Sequence, residues 1–318
     1  MKALIASFLF IFLYGSGFVA TQYGLPYVDP VSFLVIRFAI TACLMGTLCL
    51  VIRPKLAGSK LTTSKSAGSQ DTAGSDTIKD LMHTFIAGAL MVGLFSLGVF
   101  LAIDYGLSAS TTALVISFQP LVASVMAQIF FKAKVSIAQW IGLIIGLIGV
   151  LFIVFWGLKT PNIIGLLLAG LGLLGVACGS VYQKHFCADM HLVFGGFIQS
   201  CAACILCALV WPLYGAHFIE WTPEFIFSLL WMAIAVSIGG VNMLYILIRQ
   251  LSISKVSTLF YLIPIAALVL SLIFLEGHIY KVQGIGIILI SLSIYLVARY
   301  DQRSIQAAIE TEKAKQIV

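Results

Sequence analysis

Charged side chains are scarce in this chain. Twelve Asp and Glu and 18 Lys and Arg in 318 residues, 9% charged in all, exclude a soluble globule of this length, which needs far more polar surface. The formal charge of +6 is not gathered into basic runs interleaved with aromatics, so no nucleic-acid partner is expected. No Walker A sequence occurs, which excludes a self-contained ATP-driven pump. The five histidines (His83, His185, His191, His217, His278) show no HExxH-type spacing, so no metal, cofactor or catalytic residue is assigned. His185, Cys187 and His191 come nearest to a cluster and read as a solvated loop. Rings of charge that would make a channel filter are also missing.

The seven cysteines fall in or beside apolar stretches, where a thiol behaves as a small hydrophobe, and no disulfide is expected. Cys201 and Cys204 have the CxxC spacing but no cationic neighbour to favour a thiolate, so packing explains them.

What the chain has in abundance is apolar length. It is 61% hydrophobic, with a mean hydropathy of +1.10. Ten apolar runs, at 3–22, 31–53, 82–105, 108–131, 136–157, 162–184, 191–213, 226–250, 255–275 and 282–299, are each long enough to cross a bilayer as a helix. Phe18-Val-Ala20 offers a signal-cleavage site in the first run, which we read as retained. Residues 54–80, rich in Ser, Thr, Gly and Lys, predict a flexible loop, and residues 300–318 a charged tail. Fifteen of the 18 basic residues fall on one side of the runs, against Lys159 and Lys281 on the other, with Arg37 inside a run. That bias predicts cytoplasmic termini.

The chain also repeats itself. Leu107 to Val150 laid over Leu251 to Ile294 without gaps gives 12 identities in 44 positions, among them Pro120/Pro264, Gln139/Gln283 and Gly142/Gly286. Ten helices in two copies leave five per copy, and an odd number inverts the second copy. The predicted fold class is therefore an all-α polytopic membrane protein, ten transmembrane helices in two inverted five-helix repeats. The predicted units are residues 1–157, 162–299 and the tail 300–318. This symmetry points to a secondary transporter that alternates access to one site. An intramembrane enzyme, or a membrane protein that interacts without transporting, is the alternative.

Leu107-Ser-Ala-Ser110 leading into Pro120, then Gln139-x-x-Gly142 and Gly149-Val150, resembles the EamA domain of the drug/metabolite transporter (DMT) superfamily. Tyr14-Gly-Ser-Gly-Phe18 and Arg37-Phe-Ala39 are similar to that family's opening motifs. The resemblance covers nearly the whole chain as two EamA repeats. It implies an inner-membrane permease or exporter of small metabolites, with a cavity lined mainly by spans 1, 3, 4, 6, 8 and 9. Two features depart from the family pattern: Lys132 stands where the second copy has Glu276, and the 54–80 connection is long.

Ionisable groups at membrane depth are functional candidates by default. Arg37 either binds an anionic group such as a carboxylate or holds its helix through carbonyls and water. Asp104, near the outer end of span 3, is a candidate gate or coupling residue that either pairs with Arg37 or meets interfacial water. Pro120 and Pro264 break two helices at matched places, with Gln119 and Tyr261 beside them. Tyr14, Ser16, Tyr182, Gln199, Asn242 and Tyr245 complete the candidate substrate-binding set. No Asp, Glu or His lies at mid-membrane, which favours uniport or exchange over proton coupling. The expected partners are a small-molecule substrate, an amino acid or similar amphipathic metabolite, and the lipid bilayer. Gly142-x-x-x-Gly146 and Gly175-x-x-x-Gly179 allow close helix approach, within the chain or in a homodimer.

Overall fold

The computed structural model describes residues 2–56, 73–107, 109–132, 135–154, 162–188, 190–214, 218–274, 284–297 and 299. Among these the fold is helical, with one isolated antiparallel bridge, Val28 to Ile219. The helices are α1 Lys2–Gly24, α2 Pro30–Leu56, α3 Ala73–Gly88, α4 Phe95–Asp104, α5 Ala109–Ile116, α6 Gln119–Phe131 and α7 Ile137–Val154. They continue with α8 Ile163–Phe186, α9 Leu192–Val210, α10 Pro223–Leu230, α11 Val241–Gln250, α12 Ile253–Thr258, α13 Ile263–Phe274 and α14 Gly284–Val297. Seven helical stretches among the described residues are long and apolar enough to cross a membrane, and Ile137–Phe152, Lys255–Ala267 and Gly284–Val297 are shorter apolar helices. The tail, Lys159, Lys281, Glu276, His217, His278 and the middle of the 54–80 loop lie outside the described residues. The loop's ends are helical, α2 running to Leu56 and α3 starting at Ala73, because a helix can continue past the apolar stretch that reveals it.

Several spans are interrupted. A π-helical turn, Ala89–Leu94, joins α3 to α4, and a longer one, Trp231–Gly240, joins α10 to α11. A π turn interrupts the regular helical ladder, and two carbonyls of the longer one also accept from side chains. Thr41 Oγ1 donates to Ala233 O at 3.1 Å, and Asn242 Nδ2 to Ile238 O at 2.6 Å. The matched prolines start helices rather than kink them. α5 stops at Ile116 and α6 begins at Gln119, while a 3₁₀ turn, Leu259–Leu262, precedes α13. Pro120 and Pro264 therefore occupy first-turn positions, where the missing N–H has no helical acceptor to leave empty.

Packing is organised in matched contacts. α2 lies against α9, and α6 against α12. α3 and α4 pack on α8 as α10 and α11 pack on α1, and α1 meets α13 as α8 meets α6. A Cβ on Gly142 would lie 3.0 Å from Val297, and one on Gly149 2.9 Å from Gly286 O, which brings α7 onto α14. The main core gathers Phe10, Tyr14, Phe33, Phe38, Phe225, Leu244, Tyr245 and Phe260. Outside, Leu4, Phe8, Ile129, Phe130, Ile137 and Leu167 are exposed, and in a chain with so little charge this apolar exterior is what lipid requires.

The bundle has a near end, where α1 begins, and a far end, where α1 stops. Backbone bonds tie the far end: Asp29 N–H donates to Phe218 O at 3.1 Å, and Glu220 N–H to Tyr27 O at 2.7 Å.

Candidate functional site

Arg37 sits two turns into α2 and is 4% exposed. Its Nε donates to Ser237 Oγ at 2.9 Å across to the π turn, and the guanidinium lies 5.0 Å from the Phe38 ring centroid. Among the described residues no carboxylate pairs with it. Arg37 instead lines a narrow cavity, with about 50 Å³ open to the centres of water-sized molecules. The other walls are Tyr14, Gly17, Phe18 and Thr21 of α1, Met91, Val92, Phe95, Ser96, Val99 and Phe100 of the α3–α4 span, and Met232, Val236 and Val241 opposite. A buried cation facing open space can bind an anion at small extra desolvation cost, because burying the cation has already removed most of its water.

The other end of the same axis is filled by polar side chains. Gln199 Nε2 donates to Gln183 Oε1 at 2.8 Å, and the Tyr245 hydroxyl donates to Gln199 Oε1. All three are buried. Next to Gln183 on α8, Lys184 Nζ donates to the carbonyls of Ile248, Arg249 (3.2 Å) and Leu251 (2.9 Å). An ammonium on the last carbonyls of α11 fixes that helix end to α8. His83 Nδ1 pairs with the Tyr182 hydroxyl at 2.6 Å, and His83 stacks on Phe186 with centroids 4.6 Å apart.

Of the sequence candidates, Tyr14 and Arg37 meet at the cavity, and Gln199 and Tyr245 meet in the near-end network. Ser16 accepts from Trp231 Nε1 at 2.9 Å. Asn242, which holds Ile238 O, keeps its Oδ1 buried without a hydrogen-bond partner. Gln119 Nε2 reaches Ser180 (3.4 Å) and Ser257 (3.3 Å), leaving its own Oε1 unbonded. Beside these serines is a pocket of about 10 Å³ between Ser180, Ile248, Val256 and Ser257. That space suits about one water. Tyr261 donates to Leu143 O at 2.7 Å and packs among Leu143, Val150 and Ile290, away from the cavity. Asp104 does not pair with Arg37; at the far rim it accepts from the Tyr214 hydroxyl. Burial and that carboxylate push the Tyr214 phenol well above its ordinary value.

The cavity draws on spans 1, 2, 3 and 8, whereas the family pattern implied 1, 3, 4, 6, 8 and 9. A Cβ on Gly15 would lie 2.7 Å from that of Ala266, so α1 and α13 close against each other and keep span 9 off the cavity. Thr21, Ser96, Ser237, Gln183 and Lys184 escaped the sequence-based set. Gln183 obeys the same rule that singled out Asn242, an amide inside an apolar helix, and was findable on that ground.

Residues 1–155 and 163–299 match the EamA-like transporter family. The chain belongs to that family. This EamA protein is 28% identical to the uncharacterized transporter YvbV of Bacillus subtilis over 99% of the chain and 97% of the relative. It is 24% identical to a probable amino-acid metabolite efflux pump of Salmonella typhimurium, over 91% and 92%. Its fold matches a solved crystal structure with a TM-score of 0.71 at 17% identity, covering 95% of this chain and 99% of the other. It is an integral protein of the bacterial inner membrane and a transporter of the DMT type. Among the described residues, no three His, Cys, Asp or Glu side chains form a metal-holding group.

Proposed function

We propose that this EamA protein is a secondary carrier, not an enzyme, that exports a small carboxylate-bearing metabolite by alternating access, with Arg37 docking the carboxylate. The observation that carries the reading is the buried guanidinium of Arg37, partnered by one serine and facing open space. The name of the Salmonella relative speaks of amino-acid metabolites, and a carboxylate is what such compounds share.

Two inverted repeats of five spans, residues 1–157 and 162–299, supply the movement in this reading. Its support is the matched packing, the π turns at Ala89–Leu94 and Trp231–Gly240, and the restarts beside Pro120 and Pro264. The positive-inside bias makes the near end cytoplasmic. The cavity then faces outward, and the Gln183–Gln199–Tyr245 network seals the inside. Tilting one repeat against the other would exchange the two conditions.

Counterflow of labelled carboxylates in proteoliposomes tests this. The native protein is expected to exchange at least one such compound, and Arg37→Ala and Asn242→Ala to lower the rate. No flux above empty vesicles for any carboxylate would overturn the carrier reading, and native rates in Arg37→Ala would remove Arg37 as the docking group.

A further inference from the structure

We infer that the substrate is a monocarboxylate with an apolar body and no ammonium group, so that each molecule exported moves one negative charge outward. This rests on the carrier reading above, with Arg37 as the docking cation.

The cavity carries one charge and nothing to balance a second cation. Its polar wall groups besides Arg37 are the Tyr14, Thr21 and Ser96 hydroxyls, and no acidic residue lines it. The cavity walls include none of the described carboxylates. Asp29, buried at the start of α2, accepts from Ser32 N–H at 2.8 Å through Oδ1 and keeps Oδ2 without a partner, but it lies eight residues before Arg37 and outside the lining. Asp104 is held by Tyr214, and Asp80, Glu220 and Glu224 are not among the lining residues.

An α-amino acid docked on Arg37 would bring its ammonium within a few ångströms of the guanidinium. That like-charge contact is repulsive, and the ammonium would leave water without an anion to replace it. A 2-oxo acid, or an acid with a plain hydrocarbon body, presents the same carboxylate and avoids both costs. Phe18, Met91, Val92, Phe95, Val99 and Met232 then surround an apolar body.

The charge count follows. Arg37 keeps its charge through the cycle, and the cavity lining holds no Asp, Glu or His to return a proton. Uniport of the anion therefore transfers one net charge. The negative interior of a respiring bacterium favours the outward direction, by about 50-fold in the equilibrium ratio for each 100 mV.

The test uses full-length protein in proteoliposomes loaded with leucine or with 4-methyl-2-oxopentanoate, which share a side chain and differ at the amino group. A valinomycin–potassium gradient sets the potential. The oxo acid is expected to leave roughly tenfold or more faster than leucine, to accelerate when the lumen is negative, and to lose this flux in Arg37→Gln. Leucine flux equal to or faster than oxo-acid flux, or oxo-acid flux blind to potential, would overturn the inference and leave the carrier reading standing. Absence of protein-dependent flux for every carboxylate would overturn both. The leucine comparison needs only the native chain, so poor folding of the variant cannot obscure it.

Discussion

Arg37 and Gln199 hold the same station in matched helices. Each lies eight residues beyond a side chain that caps its own helix start, Asp29 accepting from Ser32 N–H and His191 accepting from Phe194 N–H. Each faces the axis of the bundle two turns in from one end. Yet Arg37 has one serine and a cavity before it, while Gln199 is clasped by Gln183 and Tyr245. An amide both donates and accepts, so it can close a network with neighbouring amides and a phenol. A guanidinium only donates, and without a carboxylate from the protein it is left for an anion from solution. In the proposed carrier this difference divides labour between the stations, one binding and the other sealing.

Changes at Arg37 are expected to act most strongly. Arg37→Gln should lower carboxylate counterflow about 100-fold, the equivalent of about 2.7 kcal/mol, because an amide supplies no charge. Arg37→Lys should recover part of the rate, since it keeps the charge but loses the planar fork. Next is the seal. Gln199→Leu leaves the Gln183 oxygen and the Tyr245 hydroxyl without their partner, a cost of about 1–3 kcal/mol to the sealed state. Cys187, buried beside the network, reports on it. Burial pushes its thiol up to about 11, Thr84 pulling slightly the other way, so maleimide labelling of the native protein should be slow near neutral pH. Peptide mass mapping should find Cys187 labelled roughly tenfold faster in Gln199→Leu, and unchanged labelling would mean that the network is no seal.

Smaller effects are expected where the helices restart. Pro120→Ala and Pro264→Ala should cost less than about 1 kcal/mol in thermal unfolding, because first-turn prolines sacrifice no helical hydrogen bond; a loss several times larger would show that these rings do more than start helices. Smallest is Tyr214→Phe, which removes a rim bond to Asp104 in contact with solvent. Flux should change less than twofold, and a large change would bring Asp104 back as a gate.

The helical, membrane-spanning character of the fold could be read from the sequence, since apolar length is a strong signal, while Pro120/Pro264 with Gln139/Gln283 carried the expectation of a duplication. The place of Arg37 was legible too, because a charge within an apolar run stands out, and it is buried on the cavity wall. The π turns were not, because a π insertion leaves hydrophobic composition unchanged and depends on contacts such as Thr41 to Ala233 O. The difference between the open cavity at Arg37 and the closed network at Gln199 was equally hidden. Tyr261, Gln199 and Tyr245 all look like polar groups at membrane depth, and only packing sends the first to Leu143 and joins the other two. Lys184 sits at a span end, where a lysine usually meets water, so its hold on three carbonyls of the α11 terminus carried no sequence signature.

The docking role of Arg37 is tested most directly by the counterflow of a monocarboxylate by native protein and by Arg37→Gln at matched reconstitution, with monodispersity verified for both. We expect saturable flux in the native protein and about 100-fold less in the variant. A variant that exchanges the compound at the native rate would contradict the assignment of Arg37 as the docking group.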